Sequence, residues 1–107
     1  MAQSRANAVI KKFSFANSTV WNVKLARDGL VARHFHANNY VVHPLKSGQV
    51  RVTMFRDAAG QTLVSEEVKT LVAGEPYEVI VPPPGLWVEL VNEGDDTEWD
   101  KDEPTPP

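Results

Sequence analysis

The chain has 107 residues, 14 acids against 11 Lys and Arg, a formal net charge of −3 and no cysteine. This length suits one domain. The lack of cysteine excludes disulfide staples, iron–sulfur ligation and thiol catalysis, the charge argues against nucleic acid as a partner, and no apolar run nears the roughly 20 residues of a membrane span.

The opening segment MAQSRANAVIKK has no apolar stretch of the export type, so the expected compartment is the cytoplasm. Residues 1–18 read as an N-terminal segment that is irregular or weakly helical from Ala2 to Lys12 and partly strand, leading into a barrel over 19–95. From Val20 to Ala26 the pattern has period two, with Trp21, Val23 and Leu25 on one face. After the Asp28-Gly29 turn, Leu30–His36 alternates again and groups Leu30, Ala32, His34 and His36. Tyr40–His43 is a short strand ended by Pro44, and Gln49–Phe55 groups Val50, Val52 and Met54.

Asp57 to Gly60 reads as a hairpin loop leading into Thr62–Glu67. Val68–Val72, Tyr77–Val81 and Leu86–Val91 complete about eight strands separated by Gly, Pro and Asn. Short strands at such spacing predict an all-β sandwich or barrel. Residues 96–107 read as an acidic, Pro-rich tail in solvent: from Glu93 on there are seven acids and one base, Lys101. Trp99 is unexpected in such a tail and would pin it to the barrel or to another subunit. Trp21 reads as core, Trp87 as lying outside the barrel, and Arg51 and Arg56 as solvated charges.

Two segments resemble the paired motifs of the cupin family. HFHANNYVVHPLKSG has the first motif's spacing, with His34 and His36, then Val41, then Gly48. PPGLWVELVN has that of the second, with Pro83 and Gly85, then Val88, then Asn92. The resemblance runs from about Val20 to Asp95 and implies a cupin-type double-stranded β-helix, or jelly-roll, barrel. It also implies a four-ligand metal set of two His, a Glu and a third His. Here the last two positions are Val41 and Val88, so the set is incomplete.

Two chemistries follow for the remaining residues. His43 lies two beyond Val41 on the same strand; if Val41 faces the pocket, His34, His36 and His43 form a three-His set for a divalent metal, Zn, Fe, Mn or Ni. Tyr40, Glu89 or a neighbouring chain would then supply a fourth ligand. Without a metal, His34 or His36 would act as general base and Tyr40 as acid. The expected function is that of an enzyme or binder of a small polar organic molecule in the barrel pocket. The alternatives are a non-catalytic ligand-binding cupin and a structural β-sandwich module such as a virion protein. Expected partners are the small-molecule ligand or substrate and a second copy of the chain, with no nucleic acid and no membrane. The homodimer rests on the resemblance to small cupins and on apolar Val9, Ile10, Phe13 and Phe15.

Overall fold

The computed structural model describes residues 7–104, which form nine strands and no helix. In chain order these are β1 (Ala8–Ser14), β2 (Ser18–Leu25), β3 (Leu30–His36), β4 (Tyr40–Lys46), β5 (Gly48–Phe55), β6 (Leu63–Leu71), β7 (Tyr77–Val79), β8 (Leu86–Asn92) and β9 (Thr97–Pro104). They pair antiparallel in two sheets, β1-β2-β9-β4-β7 and β3-β8-β5-β6, which face each other as a jelly roll. Among the described residues no helix is long and apolar enough to cross a membrane.

Alternation explains which side chains fill the interior. Val23, Leu25, Tyr40, Val42, Val50, Leu71, Leu86, Val88 and Trp99 form the buried core. Every second residue of β2, β4, β8 and β9 points inward, as the period-two pattern requires. Trp87 lies on the outer face of β8, where its ring meets that of Phe35 at 5.2 Å. Its outward placement agrees with the sequence reading.

The acidic segment is not a solvated tail. Thr97–Pro104 is β9, hydrogen-bonded between β2 on one side and β4 on the other. Charge density hid its alternation: Glu98, Asp100 and Asp102 take the outer face, while Thr97, Trp99, Lys101 and Glu103 take the inner one. Asn22 Nδ2 donates to Glu98 at 3.0 Å and to Asp100 at 2.9 Å, which offsets part of the acid crowding. The barrel therefore runs to residue 104 instead of ending at 95. At the other end, Ala8–Ser14 is a regular strand where a weak helix was one expectation. The expectations for residues 1–6 and 105–107 fall outside the described residues.

Two further differences concern β4 and β3. Pro44 does not end β4; the strand continues to Lys46 with a register shift between Pro44 and Lys46, where a residue lacking an N–H is tolerated. In β3, Val31 pairs with Leu90 but His34 pairs with Val88, so three steps on β3 match two on β8. This bulge switches the inward phase. Val31, not Leu30 and Ala32, shares the interior with His34 and His36.

The motif residues that are not histidine have structural work. Asn92 Nδ2 donates to the carbonyls of Leu25, Ala26 and Asp95, each at 3.0 Å, tying β2 and the loop before β9 onto β8. A Cβ on Gly48 would lie 2.7 Å from Thr97 Cβ. Gly85 has φ +129°, and a Cβ there would come within 2.5 Å of the Phe35 ring.

Candidate functional site

The two sheets do not close completely. Between them lies a cavity of about 740 Å³ lined by aromatic and aliphatic side chains, including Trp21, Tyr77, Val79, Leu90 and Trp99. Polar and charged groups are set among these apolar walls, as they are in small-molecule sites. His34, His36, Tyr40, Lys101 and Glu103 come together in it, contributed by β3, β4 and β9. Arg33, Glu67, Lys69 and Glu78 also line it.

His36 is the hub and is 3% exposed. Its Nδ1 lies 2.8 Å from Glu103 Oε1, and its Nε2 lies 2.9 Å from Lys101 Nζ. An ammonium has no lone pair, so Lys101 donates and Nε2 accepts. The ring proton therefore sits on Nδ1 and is donated to the Glu103 carboxylate. The Tyr40 ring packs 4.4 Å from the His36 ring, and the His34 ring meets His36 edge-on at 4.8 Å. His34 Nδ1 lies 2.8 Å from the Ala32 carbonyl, which can only accept. His34 is thus also protonated on Nδ1 and keeps a lone pair on Nε2.

Burial and charge set the protonation states. Desolvation, then the nearby Lys101, push His36 down to about 3 and His34 down to about 4, so both are neutral at pH 7. Burial lowers Lys101 to about 8, with Glu103 opposing the shift. Burial raises Glu103 above its usual value, against the pull of Lys101 and a hydrogen bond from Asn38. Tyr40 is pushed above its ordinary range by burial, and Tyr77 up to about 12. The His36–Glu103 contact is consequently a neutral imidazole donating to a carboxylate, and the ammonium beside it carries the positive charge.

His34, His36 and Tyr40 are brought together as the sequence suggested, but His43 is not. Tyr40 and Val42 face the cavity, so Val41 and His43 take the opposite face of β4, where His43 neighbours Asp100. The expectation that Val41 faces inward had the phase of β4 reversed, and with it falls the set of His34, His36 and His43. Glu89 lies on the outer face of β8, 3.6 Å from Arg33 Nη2, and is no fourth ligand. Val88, the other altered motif position, is 1% exposed and forms wall. Among the described residues, no three His, Cys, Asp or Glu side chains form a set that could hold a metal ion. The lone pair of His36 that a metal would use is occupied by Lys101. The residues present do not fit a cupin-type divalent ion.

Lys101 and Glu103 escaped the sequence reading because both stood in the supposed tail. The available signal was the alternation Thr97, Trp99, Lys101, Glu103, in which an apolar residue marks the inward phase.

No protein-family model matches the chain, and no curated protein matches it by sequence. Solved structures do match. A cupin domain from Bordetella pertussis Tohama I superposes with a TM-score of 0.71 at 18% identity, over 94% of this chain and 95% of that one. A cupin family protein with a double-stranded β-helix fold from Methanocaldococcus jannaschii gives 0.67 at 14% identity, over 97% and 85%. An oxalate oxidase gives 0.64 at 15% identity, over 91% of this chain and 50% of that one. At these identities the likeness is one of fold: the chain has the double-stranded β-helix barrel of these solved cupin domains.

Proposed function

We propose that the barrel binds a small organic molecule with an apolar body and a carboxylate or similar oxyanion. The observation that carries this reading is the Lys101 ammonium, held in the cavity among His34, Glu103 and the rings of Trp21 and Tyr40 with a single hydrogen-bond acceptor, His36 Nε2. Its charge lies over the Trp21 ring at 4.7 Å and the Tyr40 ring at 5.5 Å. Cation–π contacts of this kind compensate only part of the lost hydration. Two N–H groups of the ammonium remain for a ligand oxygen, and a charge-assisted hydrogen bond in a dry pocket is among the stronger single contacts. The Glu103 carboxylate accepts from His36 Nδ1 at 2.8 Å, and the only acceptor the ammonium reaches among the described residues is His36 Nε2. The apolar walls would take the body of the ligand.

The test is calorimetric titration with short aliphatic and aromatic carboxylates beside their uncharged amides. Carboxylates should bind, amides of the same shape should bind at least about tenfold more weakly, and Lys101→Met should abolish the difference. Equal affinity for acid and amide in the wild type would overturn the reading.

A second reading, proton transfer on the bound molecule, is favoured by the place of the Lys101 amine in the cavity beside His36, where burial lowers it to about 8, near the working range of a general base. His34 and His36 are weaker candidates for that role, because both are poor bases in this setting. Turnover rising with an apparent pKa near that of Lys101 would support it. We also propose that two barrels pair through β1, an edge strand that exposes Val9 and Phe13 and is followed by exposed Phe15.

A further inference from the structure

The two cavity histidines are tethered through Nδ1 as metal ligands commonly are, although the cavity does not suit a metal. A ligating imidazole normally gives its second ring N–H to a carboxylate or a backbone carbonyl, which fixes the tautomer and turns the other nitrogen to the ion. His36 gives Nδ1–H to Glu103, and His34 gives Nδ1–H to the Ala32 carbonyl. Both are left with the Nε2 lone pair. In front of His36 Nε2, where a ligating imidazole would meet its ion, stands the ammonium of Lys101 at 2.9 Å, and the further ligands of a metal centre are absent among the described residues.

We propose that Lys101 is a built-in replacement for a metal ion: the wild-type barrel excludes divalent cations because the ammonium holds the His36 lone pair, and an imidazole in place of the lysine completes, with His34 and His36, the three-ligand set that the described residues lack, Glu103 being its outer carboxylate. The replacement is chemically consistent. A metal ion takes the imidazole lone pair as a Lewis acid; the ammonium takes the same lone pair through a hydrogen bond. Both place positive charge at the same point of the cavity. They cannot be present together, since each needs Nε2 and like charges so close repel strongly in a site of low dielectric. Lys101 is covalently part of β9 and hydrogen-bonded in register, so it does not have to be recruited from solution. Val88 then makes sense as wall, because no ligand is required there.

This inference goes beyond the ligand reading and does not depend on it, since it is tested without any organic ligand. Long-range ¹H–¹⁵N NMR of the wild type should show both rings neutral with the proton on Nδ1, and adding Zn²⁺ should leave the Nε2 resonances in place. Lys101→His, which offers an imidazole where the ammonium was, should bind one equivalent of Co²⁺ with visible d–d absorption and at least about tenfold tighter than the wild type. Glu103→Gln in that background should weaken the binding by about 10–100-fold, the usual effect of losing an outer carboxylate. If Lys101→His does not fold, Lys101→Met frees His36 Nε2, and Zn²⁺ should then move the resonance that it leaves in place in the wild type. A wild-type protein that takes up Zn²⁺ with movement of His36 Nε2 overturns the proposal. So does a folded lysine variant whose affinity for Co²⁺ equals that of the wild type.

Discussion

A charged lysine inside a cavity walled by Trp21, Tyr40, Val42 and Trp99 loses hydration that one hydrogen bond to His36 does not restore. The consequence is a pH dependence with a definite sign. Lys101 has a folded pKa of about 8 against the ordinary 10.5, so between these values the unfolded chain binds more protons than the folded one. Stability therefore rises with pH across that window. Measured against Lys101→Met by urea unfolding, which cancels the ionisation of tyrosines, the wild type should gain up to about 3 kcal/mol from pH 8 to 10.5. The histidines act in acid. His36 and His34 are pushed down to about 3 and about 4 from 6.5, so their neutral burial supports the fold above pH 6.5 and that support is lost as pH falls through 6.5 toward 4. The urea midpoint should drop over that range, and His34→Gln should make the drop shallower. At this scale the sequence was readable where spacing alone decides. His34 and His36 sit two apart on a strand and do share a face, with Val88 opposite. It was not readable where phase depends on partners. A strand reports which residues share a face but not which face is inside, and His43 was misplaced for that reason.

The element that decides the architecture is β9. Trp99 is 4% exposed and lies across from Val23 on β2 and Pro44 on β4. Trp99→Ala should cost about 3–5 kcal/mol by the usual cost of truncating a large buried aromatic residue, read from the urea midpoint. On the outer face of the same strand, Asp102→Asn should stay within about 0.5 kcal/mol. A solvated tail would give the same small effect at both positions, so the contrast is the test. Composition misled here because Glu98, Asp100 and Asp102 alternate with the inward residues of β9, and a charge count ignores order. The bulge in β3 was equally hidden: nothing in LVARHFH marks the extra residue, which exists only relative to β8. At the opposite end of the sheet, β1 pairs with β2 alone and leaves Phe13 47% exposed and Phe15 61% exposed. If β1 pairs barrels, Phe13→Lys should shift the mass in light scattering from dimer to monomer at micromolar concentration. A monomer in the wild type would refute the pairing.

Across the whole molecule, strand neighbours are distant in sequence: β2 meets β9, β3 meets β8, and β5 meets β8. That is why the barrel was legible as a class, from short strands and turn residues, while its interior polar cluster was not. The hydrogen bond from Lys101 to His36 joins residues 65 apart, and that from His36 to Glu103 joins residues 67 apart. Local patterning carries no information about such pairs. The same order of strands has a consequence for synthesis. The larger sheet consists of the pair β1-β2 and the pair β4-β7, joined only through β9. During translation, the edges of β2 and β4 are made early and stay without a partner until residues 97–104 have left the ribosome. Unpaired edges of this kind template association with other chains. A nascent chain stalled before Thr97 should therefore be open to protease and bound by chaperones, and the passage of β9 out of the exit tunnel is the moment at which the barrel can close.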